Sequence, residues 1–276
     1  MTLSSTVQNS WMTEYDAQII AAMQRKVSYF DGMYRQKSAS GASSVVFERG
    51  GTLTSYTKPR GGQIIAGDVA HSTVSVTPTP YYARQDVEHT DEFRTKSNVR
   101  AFYADSAVWS LMRRKDTVIT TALNSGATDF ADTDGALTRA RALAIRQQLM
   151  ENDVPMENIC FVIPPQSLTD VLGSASEFIP FSSSDYTGNR PMDNANMKFS
   201  WLGMKWVVFN DLPAQDATYK YGFCYDINSL GVAVSSEIVS KEEEIPGTDT
   251  TAVWSRIDLG ATVIDPRAVY KLGLTA

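Results

Sequence analysis

The sequence predicts an α+β fold. Three observations point there. Val99, Phe102, Tyr103, Ala107 and Leu111 form one apolar stripe that resumes at Ile119, Ala122 and Leu123, which marks a single long helix over Asn98–Leu123. Val45–Thr54 and Ala70–Thr77 read as the two strands of a thin ribbon. Leu230–Ile245 and Thr251–Val263 read as a long hairpin around Pro246-Gly247. With 276 residues, 43% of them hydrophobic and 20% charged, there is apolar material for a sizeable core in one large domain or two intertwined ones.

Taken in order, the chain opens on a polar lead and a predicted helix. Trp11, Tyr15, Ile19, Met23, Val27 and Phe30 recur at steps of three or four. Thr13 and Asp16 can form a capping box, and Asp31-Gly32 a stop. Gln36–Ser44 is rich in Ser, Ala and Gly and reads as a linker, so the amphipathic leader is expected to dock on a neighbouring surface. The ribbon follows, with a connection carrying Pro59, Gly61, Gly62 and Gly67 that is longer than a hairpin loop usually is. A two-stranded ribbon is marginal by itself in water, so support from another subunit is expected. Pro78 and Pro80 end it, and Ser97 is placed to cap the long helix, roughly 39 Å at 1.5 Å per residue.

Beyond Gly126 a compact region is expected. Asp134 is the predicted cap of a second helix, whose inner face is Leu137, Ala140, Ala144, Ile145 and Leu149. Asn152-Asp153 and Pro155 close it, Ile159–Ile163 is a buried strand, and Pro164-Pro165 starts a short helix through Leu172. Gly173–Asn196 reads as a surface loop, and Lys198–Phe209 and Thr218–Tyr225 as strands. Asp265-Pro266 turns the chain into a last strand over Ala268–Leu272, and no tandem repeat is seen.

Catalytic and metal chemistry find little footing. The net charge of −6 argues against sequence-specific DNA binding. Cys160 and Cys224 lie in apolar runs and read as buried reduced thiols; with only His71 and His89 beside them, no zinc spacing exists. Gly62-x-x-x-x-Gly67 begins like a phosphate-binding loop, but Asp68 stands where a lysine is needed. Asp129, Asp132 and Asp134 lack a full calcium ligand set, and helix capping explains them better. The lead Met1–Ser10 lacks a signal-peptide layout, no apolar run approaches membrane-spanning length and no glycosylation site occurs, so a cytoplasmic protein is expected.

Charge is unevenly placed. Between Ala17 and Gly62, Arg25, Lys26, Arg35, Lys37, Arg49, Lys58 and Arg60 face only Asp31 and Glu48. Between Asp211 and Asp258 nine acids, among them Glu242, Glu243 and Glu244, face Lys220, Lys241 and Arg256. Either these are two solvated faces, or the arm and loop of one subunit lie over the hairpin of the next.

The order of parts resembles the major capsid proteins of tailed bacteriophages with the Hong Kong 97-type fold, over nearly the whole chain. The phrases that carry the likeness are Arg113-Arg114-Lys115-Asp116 ahead of Ile119 and Ala122-Leu123, then Asn152-Asp153-Val154-Pro155 leading into Ile159–Ile163. The third is Gly260-Ala261-Thr262-Val263-Ile264-Asp265-Pro266 before Ala268-Val269. The resemblance implies an N-terminal arm (1–44), an extended loop (45–82), a peripheral domain with a spine helix (83–126 and 236–262) and an axial domain with a central sheet (127–235 and 263–276). It implies a non-enzymatic protein without cofactor or metal, assembling with itself into hexamers and pentamers of a shell around double-stranded DNA. Scaffolding and portal proteins, and in some cases a decoration protein, are the implied partners. The implied location is the virion capsid, with assembly in the host cytoplasm and no membrane.

Trp11, Arg49, Lys58, Arg60, Gly61, Gly62, Glu242, Glu243 and Glu244 are the expected intersubunit contacts. Loop flexibility at Gly50-Gly51 and Gly61-Gly62 suits the shell expansion that the family undergoes. Some members crosslink a loop lysine to an asparagine; Lys58 stands in that loop, but the sequence identifies neither the asparagine nor the activating glutamate. No helical prodomain precedes residue 10, so a fused scaffold is not expected. Two alternatives are an encapsulin-like nanocompartment shell protein and, in a different class, a cytoplasmic hydrolase using Cys224.

Overall fold

The computed structural model describes residues 25–88, 99–132, 134–173 and 198–276. Its longest helix, α1 (Val99–Gly126), is 28 residues, about 42 Å at 1.5 Å per residue. It packs on two sheets at once. Leu111 and Val118 lie with Ile257, Leu259, Tyr81 and Ala83 of the first sheet. Ile119 and Leu123 lie with Val162, Phe209, Phe223 and Tyr225 of the second.

The first sheet has the order β1-β10-β11-β4: β1 (Arg35–Ser38), β10 (Leu230–Ile245), β11 (Thr250–Val263) and β4 (Thr79–Glu88). The hairpin β10–β11 appears as expected, with β11 starting one residue earlier, at Thr250. Register shifts near Ser236 bend β10 between the sheet's inner and outer halves. The strand β4 escaped the sequence reading because Pro78 and Pro80 look like terminators. Pro80 is tolerated since β4 is an edge strand, where a missing N–H breaks no central ladder. The predicted linker also holds a strand: β1 runs parallel to Gly231–Val234 of β10.

The second sheet has the order β5-β12-β9-β6-β8-β7. Its strands are β5 (Thr128–Asp129), β12 (Val269–Thr275), β9 (Tyr219–Asp226), β6 (Ile159–Ile163), β8 (Met204–Val208) and β7 (Lys198–Trp201). The two-residue β5 went unread. All five residues of β6 are buried, which is why it reads as a continuous apolar run rather than an alternating one. Lys198–Phe209, expected as a single strand, is a tight hairpin. Leu202 and Gly203 both hold positive φ (53° and 72°), the geometry of a two-residue turn. Trp206 sits at the centre of an aromatic cluster, 4.5 Å from Phe161 and 5.7 Å from Phe199 between ring centroids. Its indole N–H donates to the Trp201 carbonyl at 2.9 Å.

Among the described residues two shorter helices, α2 (Arg139–Glu151) and α3 (Pro165–Gly173), adjoin this sheet, α2 covering its Trp206 face. The α2 cap is Thr138, whose hydroxyl accepts from the Arg141 N–H, and not Asp134. That shift turns Ala142, Ile145 and Leu149 inward and leaves Ala140 and Ala144 exposed.

The predicted leader helix lies largely outside the described residues, as do the Ser97 cap, His89 and most of the predicted 173–196 loop. Its last part differs from expectation: residues 25–34 are turns rather than helix. They are fastened to α1. Ser28 and the Tyr29 N–H donate to the Asp116 carboxylate, and Arg25 pairs with it at 3.5 Å. Lys115 pairs with Asp31, Arg113 donates to the Arg25 carbonyl at 3.3 Å, and the Lys26 ammonium lies 4.4 Å from the Trp109 ring centroid.

Candidate assembly surfaces

The ribbon pairs β2 (Val45–Gly50) with β3 (His71–Val76), antiparallel, Phe47 opposite Val74 and Arg49 opposite Ser72. Burial along β2 alternates, with Val45 and Phe47 buried, Arg49 half-buried, and Val46, Glu48 and Gly50 exposed. One face of the ribbon therefore rests on its own body. Phe47 packs with Val45, Ala39, Ala233 and Ile264, and a Cβ added to Gly231 would lie 2.9 Å from its ring. Lys37 donates to the Val46 carbonyl at 2.9 Å, and Arg49 pairs with Asp265 at 3.3 Å. The expectation that the ribbon needs a sister copy for support is thus corrected at its foot. Packing of Phe47 on Gly231, which no local pattern announces, supplies that support.

Beyond Arg49 the ribbon changes character. Residues 50–70 are exposed apart from the partly covered Gly62 and Val69. Leu53 (62% exposed), Tyr56, Ile64 (80%) and Ile65 form an apolar set on a segment that also carries Lys58 and Arg60. A tight turn at its end closes by the Gly62 N–H donating to the Pro59 carbonyl at 3.0 Å. Gly61 sits there at φ 81°, a conformation that favours glycine. Gly62 and Gly67 lie in this open connection.

Pleating splits the three hairpin glutamates. Glu243 lies across from Ala252 and Asp86, on the face that carries Lys241, Trp254, Arg84 and Tyr82. Glu242 and Glu244 lie across from Val253 and Thr251, on the face where Ile257 meets Leu111 of α1. On the Glu243 face, Tyr82 is 62% exposed and its ring centroid is 6.4 Å from that of Trp254, while the Lys241 ammonium is 5.9 Å from the Trp254 ring. Arg84 pairs with Asp86 at 2.7 Å, and that bond, with the Glu243 charge behind it, raises the guanidinium pKa. Trp11 is outside the described residues.

Sequence reasoning missed Asp116. It fills the gap in the α1 stripe between Leu111 and Ile119, and a carboxylate at a core-facing position was the available signal. Two small-molecule readings lose their footing. Cys160 and Cys224 are wholly buried on opposite faces of the second sheet, and burial pushes the Cys160 thiol up to about 12 and Cys224 well upward, the reverse of an activated nucleophile. Asp132 pairs with Arg141 at 2.6 Å and Asp134 accepts from Gln215 at 2.8 Å, so both have protein partners.

A spine helix bridging two sheets, a bent hairpin and a projecting ribbon define a shell-building subunit of the Hong Kong 97-type capsid fold. The family model described as phage capsid protein matches residues 7–275, and the chain belongs to that family. The fold is similar to the capsid structure of cyanophage P-SCSP1u, with TM-score 0.75 at 15% identity over 96% of this chain and 93% of that one. It is similar to the capsid of Ralstonia phage GP4 (TM-score 0.73, 12% identity, 100% and 98% covered) and to a structure of Mycobacterium phage Che8 (TM-score 0.71, 15%, 96% and 97%). No curated protein sequence matches the chain.

Proposed function

We propose that this chain is the major capsid protein of a tailed phage, self-assembling head to tail into the hexamers and pentamers of an icosahedral shell around double-stranded DNA. The observation that carries the reading is the division of the ribbon. Its foot is packed on its own body, while residues 50–70 expose large apolar side chains that a solitary subunit leaves in water. A second copy fits them: Lys58 and Arg60 lie among those apolar groups, and the neighbour's hairpin offers Glu243 on the face of Trp254 and Tyr82, with Glu242 and Glu244 on its other face. Trp11, outside the described residues, is the contact proposed for the arm. Repetition around a closed ring multiplies weak contacts into a stable shell.

In this reading residues 1–44 are the arm, 45–82 the extended loop, 83–126 with 236–262 the peripheral domain, and 127–235 with 263–276 the axial domain. Assembly takes place in the host cytoplasm with a scaffolding protein and a portal, followed by packaging. The test is electron microscopy of the purified chain over a concentration series. Hexamers, pentamers or closed shells are expected; a monodisperse single subunit at high concentration would sink the reading.

A further inference from the structure

We infer that Arg49 and Asp265 set the direction in which the extended loop leaves the body, with Arg49 a positioning residue for assembly rather than a contact between subunits. The inference rests on the proposed contact between the loop and a neighbour's hairpin, and it begins from the alternation in β2. Val45, Phe47 and Arg49 all face the body, two apolar groups followed by one cation. Phe47 against Gly231, Ile264 and Ala233 is an apolar, non-directional contact, and with Val76 and the Lys37 bond to the Val46 carbonyl it holds the foot of the ribbon only. Arg49 stands two residues further out, about 6.6 Å along the strand. Its guanidinium is 3.3 Å from Asp265, a second fixed point that converts a pivot into a direction.

Asp265 is braced for that role. It sits at the turn after β11 and accepts from both the backbone N–H and the guanidinium of Arg267, the latter at 2.9 Å. Burial pushes its carboxyl up, but the Arg267 hydrogen bonds and the Arg49 charge together outweigh this and keep it below the usual carboxylate range. Past Arg49 the loop is a lever. Residues 51–60 reach up to about 35 Å when extended, so a tilt of about 10° at the root moves the end by about 6 Å. A displacement of that size takes Lys58 and Arg60 off the Glu243 face of a neighbour's hairpin. The ion pair is partly exposed and adds little to subunit stability, so its effect is on geometry.

The experiment measures that geometry in the full-length chain, held below the concentration at which it assembles. Spin labels at Ser55→Cys and Glu151→Cys report the separation of loop and body; Cys160 and Cys224, wholly buried, stay unlabelled. One narrow separation is expected, kept by Arg49→Lys and at least doubled in width by Arg49→Glu, with the melting temperature unchanged. In the unlabelled chain Arg49→Glu is expected to cut shell yield several-fold on gradients. Separations that Arg49→Glu leaves unchanged would overturn this inference alone. Broadened separations with normal shell yield would overturn the role of loop direction and, with it, the loop–hairpin contact.

Discussion

Asp116 shows how one side chain ties sequence to architecture. It is a carboxylate on the buried stripe of a helix, and the arm supplies Ser28, the Tyr29 N–H and Arg25 to satisfy it. Removing it leaves those donors unmatched in a water-poor site, so Asp116→Ala is expected to cost on the order of 3–5 kcal/mol in urea denaturation. The pH dependence has a definite sign. Burial raises the Asp116 carboxyl above its ordinary value, and the hydrogen bonds from Ser28 and Tyr29 and the Arg25 charge only partly offset this. A raised folded pKa means the folded state holds the proton more tightly. The group's contribution is therefore full below its unfolded pKa of about 3.9 and is lost as pH rises through the raised value. The stability difference between wild type and Asp116→Asn should follow that curve; a flat difference would refute the assignment. The apolar period on either side of Asp116 was legible in the sequence, but neither the residue's place in it nor its meeting with the arm was read there.

The hairpin makes the same point at the level of an element. Its bounds were legible because both strands are long and a Pro-Gly pair separates them. Which glutamate serves which face was settled by register with β4, a strand hidden behind two prolines. Glu242→Lys with Glu243→Lys changes one exposed residue on each face of a strand end, while their cross-strand partners Val253 and Ala252 stay buried and unchanged. Weak assembly with an unchanged melting transition is expected, and normal particle yield on a sucrose gradient would count against electrostatic pairing. The ribbon's strands were equally legible from their alternation. Its seat was not, since contact between Phe47 and Gly231 joins residues far apart in the chain.

On the scale of the whole molecule, two sheets share one long helix and one bent hairpin, so the body is continuous while the loop is not part of its core. The two uses of the chain are therefore separable. Replacing residues 52–69 with a two-residue Asn-Gly turn joins Gly51 to Ala70, which are already hydrogen-bonded at 2.8 Å. The shortened chain should melt as the parent does, within the small effect of a surface-loop change, yet form no shells in the electron microscope. Shells of normal yield would show that assembly runs through other surfaces.

The sequence by itself determined the class of fold, the spine helix, the hairpin, the buried strand β6 and the open loop, because each is written in a local period of two or 3.6 or in turn chemistry. Helix caps and edge strands were less legible: Thr138 and Asp134 are both competent caps, and Pro80 ends a strand unless the strand lies on an edge. Only the tertiary structure decided that the end of the arm lies on its own spine helix, that Arg49 finds Asp265, and that the three glutamates divide between two faces. Those are pairings between distant segments, fixed by packing and strand register, and no local period encodes them.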